Sequence, residues 1–195
     1  MNEFFRRKKR EFLGWVGFLF LSIFFIFFLS EKINLVTADL GRHLANGQIL
    51  FSGGSWEGIL KTNFYSYTYP DFPFINHHWL SGVIFFLVWK AVGFVGVQLL
   101  FLLTAGLTLG IFFFLARKRG GYFWAMAASL LVLPLLAERQ EVRPEIFSCF
   151  FGGLFWLILS GFRDKLLSQK WLFILPPALV VWVNLHIAFF LSFLL

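Results

Sequence analysis

Apolar residues run without a charge from Phe12 to Ser30, and similar runs recur at 97–116, 122–137, 146–161 and from Trp171 onward. A bilayer-crossing helix needs about 20 apolar residues, within a range of roughly 17 to 25, so each of these runs predicts a membrane helix. A further run, Trp79 to Val95, is interrupted by Lys90 after eleven residues and carries Gly93, with Gly96 just beyond it. Short basic connections, "ARKRGG" and "GFRDKLLSQK", join the later runs, whereas roughly 65 residues separate the first run from the one beginning at Val97.

The cations decide whether 79–95 crosses. If it does, with the N-terminus inside, 8 Lys and Arg fall inside and 9 outside, which is no bias. If it lies along or re-enters the outer leaflet, 11 fall inside (6–10, 117–119, Arg163, Lys165, Lys170) and 5 outside, with Lys90 at the boundary. Inner loops of membrane proteins are enriched in Lys and Arg, so the second topology is selected. The sequence therefore predicts an all-α, polytopic transmembrane protein with passes at 12–30, 97–116, 122–137, 145–161 and about 171–188. Its long first outer loop, 31–96, holds interfacial juxtamembrane or re-entrant segments. A loop of that length tends to be functional. The chain stops at Leu195 within an apolar stretch, the ending expected of the N-terminal part of a longer protein.

Composition agrees. Of 195 residues, 59% are hydrophobic, with 30 Phe and 8 Trp, and the mean hydropathy of +0.78 excludes an ordinary soluble domain. The net charge of +7 sits in clusters between apolar runs, so it reflects membrane orientation and not nucleic-acid binding. The N-terminal "MNEFFRRKKRE" followed by so long a run, without a small-residue cleavage site, reads as a retained signal anchor. One cysteine, Cys149, precludes an intramolecular disulfide.

The polar clusters all fall on the predicted outer side. In "VTADLGRHLANGQILF", Asp39, His43 and Asn46 share one helical face and Leu40, Leu44 and Phe51 a neighbouring stripe, as in an interfacial helix. Asp39 also suits an N-cap, a role that does not exclude a chemical one. "TNFYSYTYPDFPFINHHWL" adds Tyr65, Tyr67 and Tyr69, which suit either an aromatic belt or stacking on sugars, and the His77-His78 pair. A divalent metal held by the histidines is the one cofactor left open, since no ligand spacing is diagnostic. In "AERQEVRPEIF", Pro144 suits the first turn of a helix, which puts Arg143 at an anion-favouring N-terminus; a local pair with Glu138, Glu141 or Glu145 is the alternative. "WVNLHIAFF" places Asn184 and His186 toward the outer leaflet, where polar groups face a cavity or a partner helix.

The order Asp39-x-Gly41-x-His43, Gly47-x-Ile49-Leu50, Ser66-x-Thr68, His78-Trp79-Leu80, Arg143-Pro144 and Trp182-Val183-Asn184-Leu185-His186 resembles the GT-C superfamily of membrane glycosyltransferases. These include relatives of the protein mannosyltransferases and the lipid A aminoarabinose transferase. Two positions depart from the pattern: Leu40 follows Asp39 where many relatives have a second acid, and Asn63 stands where many have Asp. The resemblance implies a bacterial inner-membrane enzyme with a cytoplasmic N-terminus and its site on the periplasmic or extracellular side. It would move a hexosyl or pentosyl unit from a polyprenyl-phosphate donor to an acceptor, with inversion. Asp39 matches the catalytic acid by position. His43, His77, His78, Arg143, Asn184 and His186 are the candidate substrate-binding residues, and lipid and lipid-linked sugar the expected partners. The competing classes are a non-enzymatic transporter or binding protein and a surface-polysaccharide polymerase or ligase. Transporters favour polar midplane residues on broken, repeated helices, and the chain shows no internal repeat.

Overall fold

The computed structural model describes residues 3–30, 33, 39–63, 65–137 and 141–194, with side chains at all of these except 3, 4, 6, 7, 10, 11 and 133–137. The described residues are helical and contain no strand; one isolated bridge joins Thr62 to Pro73. In chain order the elements are α1 (Glu3–Leu29), α2 (Leu40–Phe51), α3 (Trp56–Lys61), α4 (Trp79–Ala137) and α5 (Glu145–Arg163). A 3-10 turn (Gln169–Ile174), α6 (Leu175–Leu185) and a second 3-10 segment (Ile187–Leu194) follow. The chain divides into two compact units, Met1–Lys32 with Ala105–Gln140, and Ile33–Thr104 with Glu141–Leu195.

Among the described residues, three helices are long and apolar enough to cross a membrane: Phe12–Leu29, Trp79–Val132 and Glu145–Arg163. In α1, Leu21, Phe25 and Leu29 are buried at four-residue spacing, while Phe20, Ile23 and Phe27 are exposed. Apolar side chains that face outward in such density suit lipid and not water.

The 59 residues of α4 are not one rod. Gly93 and Gly121 have φ of 71° and 80°, values a right-handed helix does not contain and only glycine adopts freely. They divide it into 79–92, 94–120 and 122–137. Past Gly121 the chain turns back, so that the Tyr122 ring comes within 5.9 Å of Phe113. The first stretch, 79–92, rises only about 21 Å at 1.5 Å per residue, short of the roughly 30 Å hydrocarbon core.

The last apolar run is also interrupted. Pro176 and Pro177 occupy the second and third positions of α6, within its first turn, where their missing N–H groups break no helical bond. The helix ends at His186, whose extended backbone (φ −161°, ψ 145°) turns it into the final 3-10 segment. The span expected at 171–188 is therefore built as 3-10, α and 3-10 in succession.

Within the second unit, α2 lies against 79–92 at backbone distance. A Cβ on Gly82 would stand 2.8 Å from the His43 carbonyl, and one on Gly47 would stand 2.7 Å from Phe86 Cβ and collide with the Gly82 carbonyl. The successive neighbours 43 with 85, 47 with 82 and 86, and 51 with 86 show two helices running side by side in the same direction. At their far ends the Lys90 ammonium sits 5.1 Å above the Phe51 ring. α5 joins through Phe147, stacked on Phe85 at 5.7 Å. Trp182 of α6, fully buried, packs between Phe151 and Phe155 of α5 at 5.9 and 5.4 Å.

Candidate functional site

The close contact of Gly47 with Gly82 fixes what lies one turn earlier on each helix. His43, 2% exposed, is set against His78, their ring centroids 5.7 Å apart. His78 in turn stands 5.1 Å from His186 and 6.1 Å from His77. All four histidines of the chain thus form one contiguous group, drawn from α2, the segment before α4 and the end of α6. His78 is held through its backbone: its N–H donates to Asn76 Oδ1 at 3.1 Å, and its carbonyl accepts from Ser81 Oγ at 2.6 Å and Gly82 N at 3.1 Å.

Asp39 occupies the N-cap position of α2, and its carbonyl accepts the His43 N–H at 3.2 Å. Its side chain makes no capping hydrogen bond. The carboxylate is 62% exposed and pairs with Arg42 Nη2 at 3.7 Å, a surface-type contact. Capping therefore does not consume the Asp39 carboxylate.

Arg143 sits immediately before Pro144, the N-cap residue of α5. Its Nε donates to Glu141 Oε2 at 2.8 Å, and Nη2 reaches the same oxygen. The local pair weighed in the sequence is thus formed with Glu141. That carboxylate, through its hydrogen bond first and its charge as well, raises the Arg143 pKa, and the charges of Glu145 and Asp39 push the same way.

Burial governs the histidines. It lowers His43 from 6.5 to about 3, helped by the positive charge of Arg42 and by His78 and His186. His78 falls to about 4, chiefly by burial and then by His186, Arg42 and His77, with Asp39 opposing. Both rings are neutral at pH 7, so cationic character at the site belongs to Arg42 and Arg143. Neutral imidazoles offer a donor and an acceptor each, the inventory that sugar hydroxyls require. His43 Nδ1 is buried and has no hydrogen-bond partner among the described residues.

Asn184 joins the group differently from the sequence expectation. Its Oδ1 accepts the Trp79 indole N–H at 2.7 Å and its Nδ2 donates to the Val180 carbonyl at 2.8 Å, so it ties 79–92 to α6 beside the His78–His186 contact. Arg42, Asn46, Tyr65, Ser148 and Trp182 were not among the expected site residues. Tyr65 Oη donates to Asn46 Oδ1 at 2.7 Å, tying the aromatic loop to α2 next to His43. The polar stripe of Asp39, His43 and Asn46 carried the signal for Asn46. A serine or tryptophan in an apolar helix carries none.

The donors do not fit a metal. Among the described residues no group of three or more His, Cys, Asp or Glu is arranged to hold one. His186 Nδ1 already lies 2.8 Å from Ser148 Oγ and accepts Ala188 N–H at 3.3 Å. The site instead sets the Asp39–Arg42 pair beside the buried, neutral rings of His43 and His78, with Arg143 at the head of α5. No protein-family model matches the chain, no curated protein matches it, and no solved structure matches it.

Proposed function

We propose that the chain is a membrane glycosyltransferase that moves a sugar from a polyprenyl-phosphate donor to an acceptor hydroxyl at the outer face of the bacterial inner membrane. The observation that carries the reading is that α2 and α5 begin beside one histidine cluster: Phe147, one turn after Arg143, stacks on Phe85 at 5.7 Å, and Phe85 lies 6.2 Å from His43, one turn after Asp39. A base for the acceptor and a cation for the departing phosphate must flank one donor, and in this reading Asp39 and Arg143 take those places beside the neutral rings of His43 and His78.

The same contacts support the five-pass topology. Were 79–95 to cross, Arg143 and His186 would emerge on the face opposite Asp39 and His78. Instead His78 lies against His186, their rings 5.1 Å apart. The short rise of 79–92 and the Lys90 ammonium over Phe51 suit a juxtamembrane helix pair lying within one leaflet.

In the proposed reaction Asp39 removes the proton of the acceptor hydroxyl as its oxygen attacks the anomeric carbon. The bond from that carbon to the phosphate oxygen breaks, and its electron pair leaves on polyprenyl phosphate, inverting the centre. Arg143 and Arg42 stabilise the developing charge. Glu141 holds the Nε and Nη2 side of the Arg143 fork, which leaves the Nη1 side for a phosphate oxygen. His43, His77, His78 and His186 bind the sugar. No metal takes part in this scheme.

The test is transfer from a panel of polyprenyl-phosphate sugars by the full-length protein in nanodiscs. Asp39→Asn should abolish transfer with donor binding retained, because the change is isosteric; Arg143→Ala should weaken donor binding. Full activity in Asp39→Asn overturns the mechanism. Donor binding with no transfer to any acceptor favours a binding or transport protein.

A further inference from the structure

We infer that Ser148 is a positioning residue that holds His186 as the neutral Nε2–H tautomer, so that this ring meets the substrate as a hydrogen-bond donor. The substrate role rests on the function proposed above; the tautomer does not.

The argument begins with Trp182. An indole N–H can only donate, and Trp182, fully buried on α6, places its Nε1 2.8 Å from Ser148 Oγ on α5. The hydroxyl therefore accepts from the indole and keeps its own proton free to donate. Its other neighbour is His186 Nδ1, also at 2.8 Å. The backbone N–H of Ala188 points at the same nitrogen, at 3.3 Å, a consequence of the 3-10 segment that begins just after His186. Two donors converge on Nδ1, so Nδ1 carries no proton and the neutral ring carries it on Nε2. The hydrogen bond at one imidazole nitrogen sets the role of the other.

Three features keep this chain in place. Phe151 and Phe155 pack on the Trp182 ring. Ser148 is 8% exposed, which keeps water from competing for its hydroxyl. The Trp79–Asn184 bond anchors the α6 end next to His186. Neither Ser148 nor Trp182 needs to reach the substrate. Their effect passes through His186, which would offer Nε2–H to a sugar oxygen in the same orientation at every turnover.

The test is nitrogen NMR of the full-length protein in nanodiscs with histidine labelled in both ring nitrogens, His186 being assigned by the signals lost in His186→Gln. The expected spectrum at neutral pH shows His186 with Nδ1 bare and Nε2 protonated, with no sugar donor added. Ser148→Ala should move the Nδ1 signal away from its hydrogen-bonded position and admit a fraction protonated on Nδ1. Ser148→Thr, which keeps the hydroxyl, should restore the original pattern. A wild-type His186 protonated on Nδ1 overturns the inference, as does an unchanged Nδ1 signal in Ser148→Ala. Should Ser148→Ala fail to accumulate, Ser148→Cys keeps the size with a weaker donor and must shift Nδ1 in the same direction; no shift overturns the inference. These readouts need no turnover, so a protein with the stated tautomer but no transferase activity would overturn the proposed function and leave the role of Ser148 standing.

Discussion

The rings of His78 and His186 lie 5.1 Å apart, and their chain neighbours Trp79 and Asn184 are joined alongside by a 2.7 Å hydrogen bond. The long loop between the first two membrane runs is thereby fastened to the end of α6. Each bond makes the other more probable, since both link the same two short segments. The site is as rigid as this fastening.

Breaking the fastening should therefore cost both stability and site geometry. Asn184→Ala leaves the Trp79 indole without its acceptor, and a typical hydrogen bond contributes about 0.5–1.5 kcal/mol. Thermal unfolding in detergent should show a loss of that order, with a similar coupling energy in a double-mutant cycle with Trp79→Phe. Additive effects of the two substitutions would show that the bond contributes nothing.

Two glycines of α2, Gly41 and Gly47, should respond in opposite senses. Gly47 meets the Gly82 carbonyl and Phe86 at contact distance, so Gly47→Ala forces the helices apart, at a cost of about 1–3 kcal/mol. Gly41 has open space around it, so Gly41→Ala should stabilise α2 by roughly 0.5–1 kcal/mol through lost chain entropy. Melting temperatures of the two variants check both signs. Because Gly82 fixes His43 as well, Gly47→Ala should also weaken sugar-donor binding.

Much of this was legible in the sequence. Uncharged apolar runs mark the helices because a lipid-facing helix has no other way to satisfy its backbone, and Lys90 with Gly93 marks the break in α4. Asp39 and His43 could be grouped because helical periodicity is local. What the sequence did not disclose is tertiary. The use of Asn184 by Trp79 depends on how 79–92 meets α6, and Asn184 has the same composition signal whether it binds substrate or an indole. Ser148 in "EIFSCFF" looks like a filler of an apolar helix until Trp182 and His186 converge on it. Arg143 carried two readings from the start, an ion pair and a phosphate site; the first is formed with Glu141.

Acid should destabilise the protein through the buried histidines. Above pH 6.5 His43 and His78 are neutral in both the folded and the unfolded chain, so they impose no pH dependence. Below 6.5 the unfolded chain takes up protons that the folded state refuses until about pH 3 for His43 and about 4 for His78. Stability therefore falls as pH drops through this window, at up to about 1.4 kcal/mol per pH unit for each ring. His43→Leu removes one such ring together with an unpartnered buried nitrogen. Its melting temperature should change little at neutral pH and decline less steeply than the wild type toward pH 4. Parallel declines in the two proteins would remove His43 from the account.

The topology yields the sharpest prediction because it concerns parity. Single cysteines in a Cys149→Ser background can be probed with an impermeant thiol reagent in intact cells. Positions 39, 77 and 141 should label from outside, and 118 and 165 only after permeabilisation. The prediction joins two independent observations: the 11-to-5 partition of Lys and Arg, and the contact of His78 with His186. Neither survives an added crossing at 79–95, which would send positions 141 and 186 to the cytoplasmic face. Lys90 supplies a finer check. Its ammonium lies 5.1 Å over Phe51, so cysteines at 51 and 90 must share one accessibility. Labelling of 118 and 141 from the same face, or of 51 and 90 from opposite faces, would refute the five-pass arrangement. The shared site of Asp39 and Arg143 would fall with it.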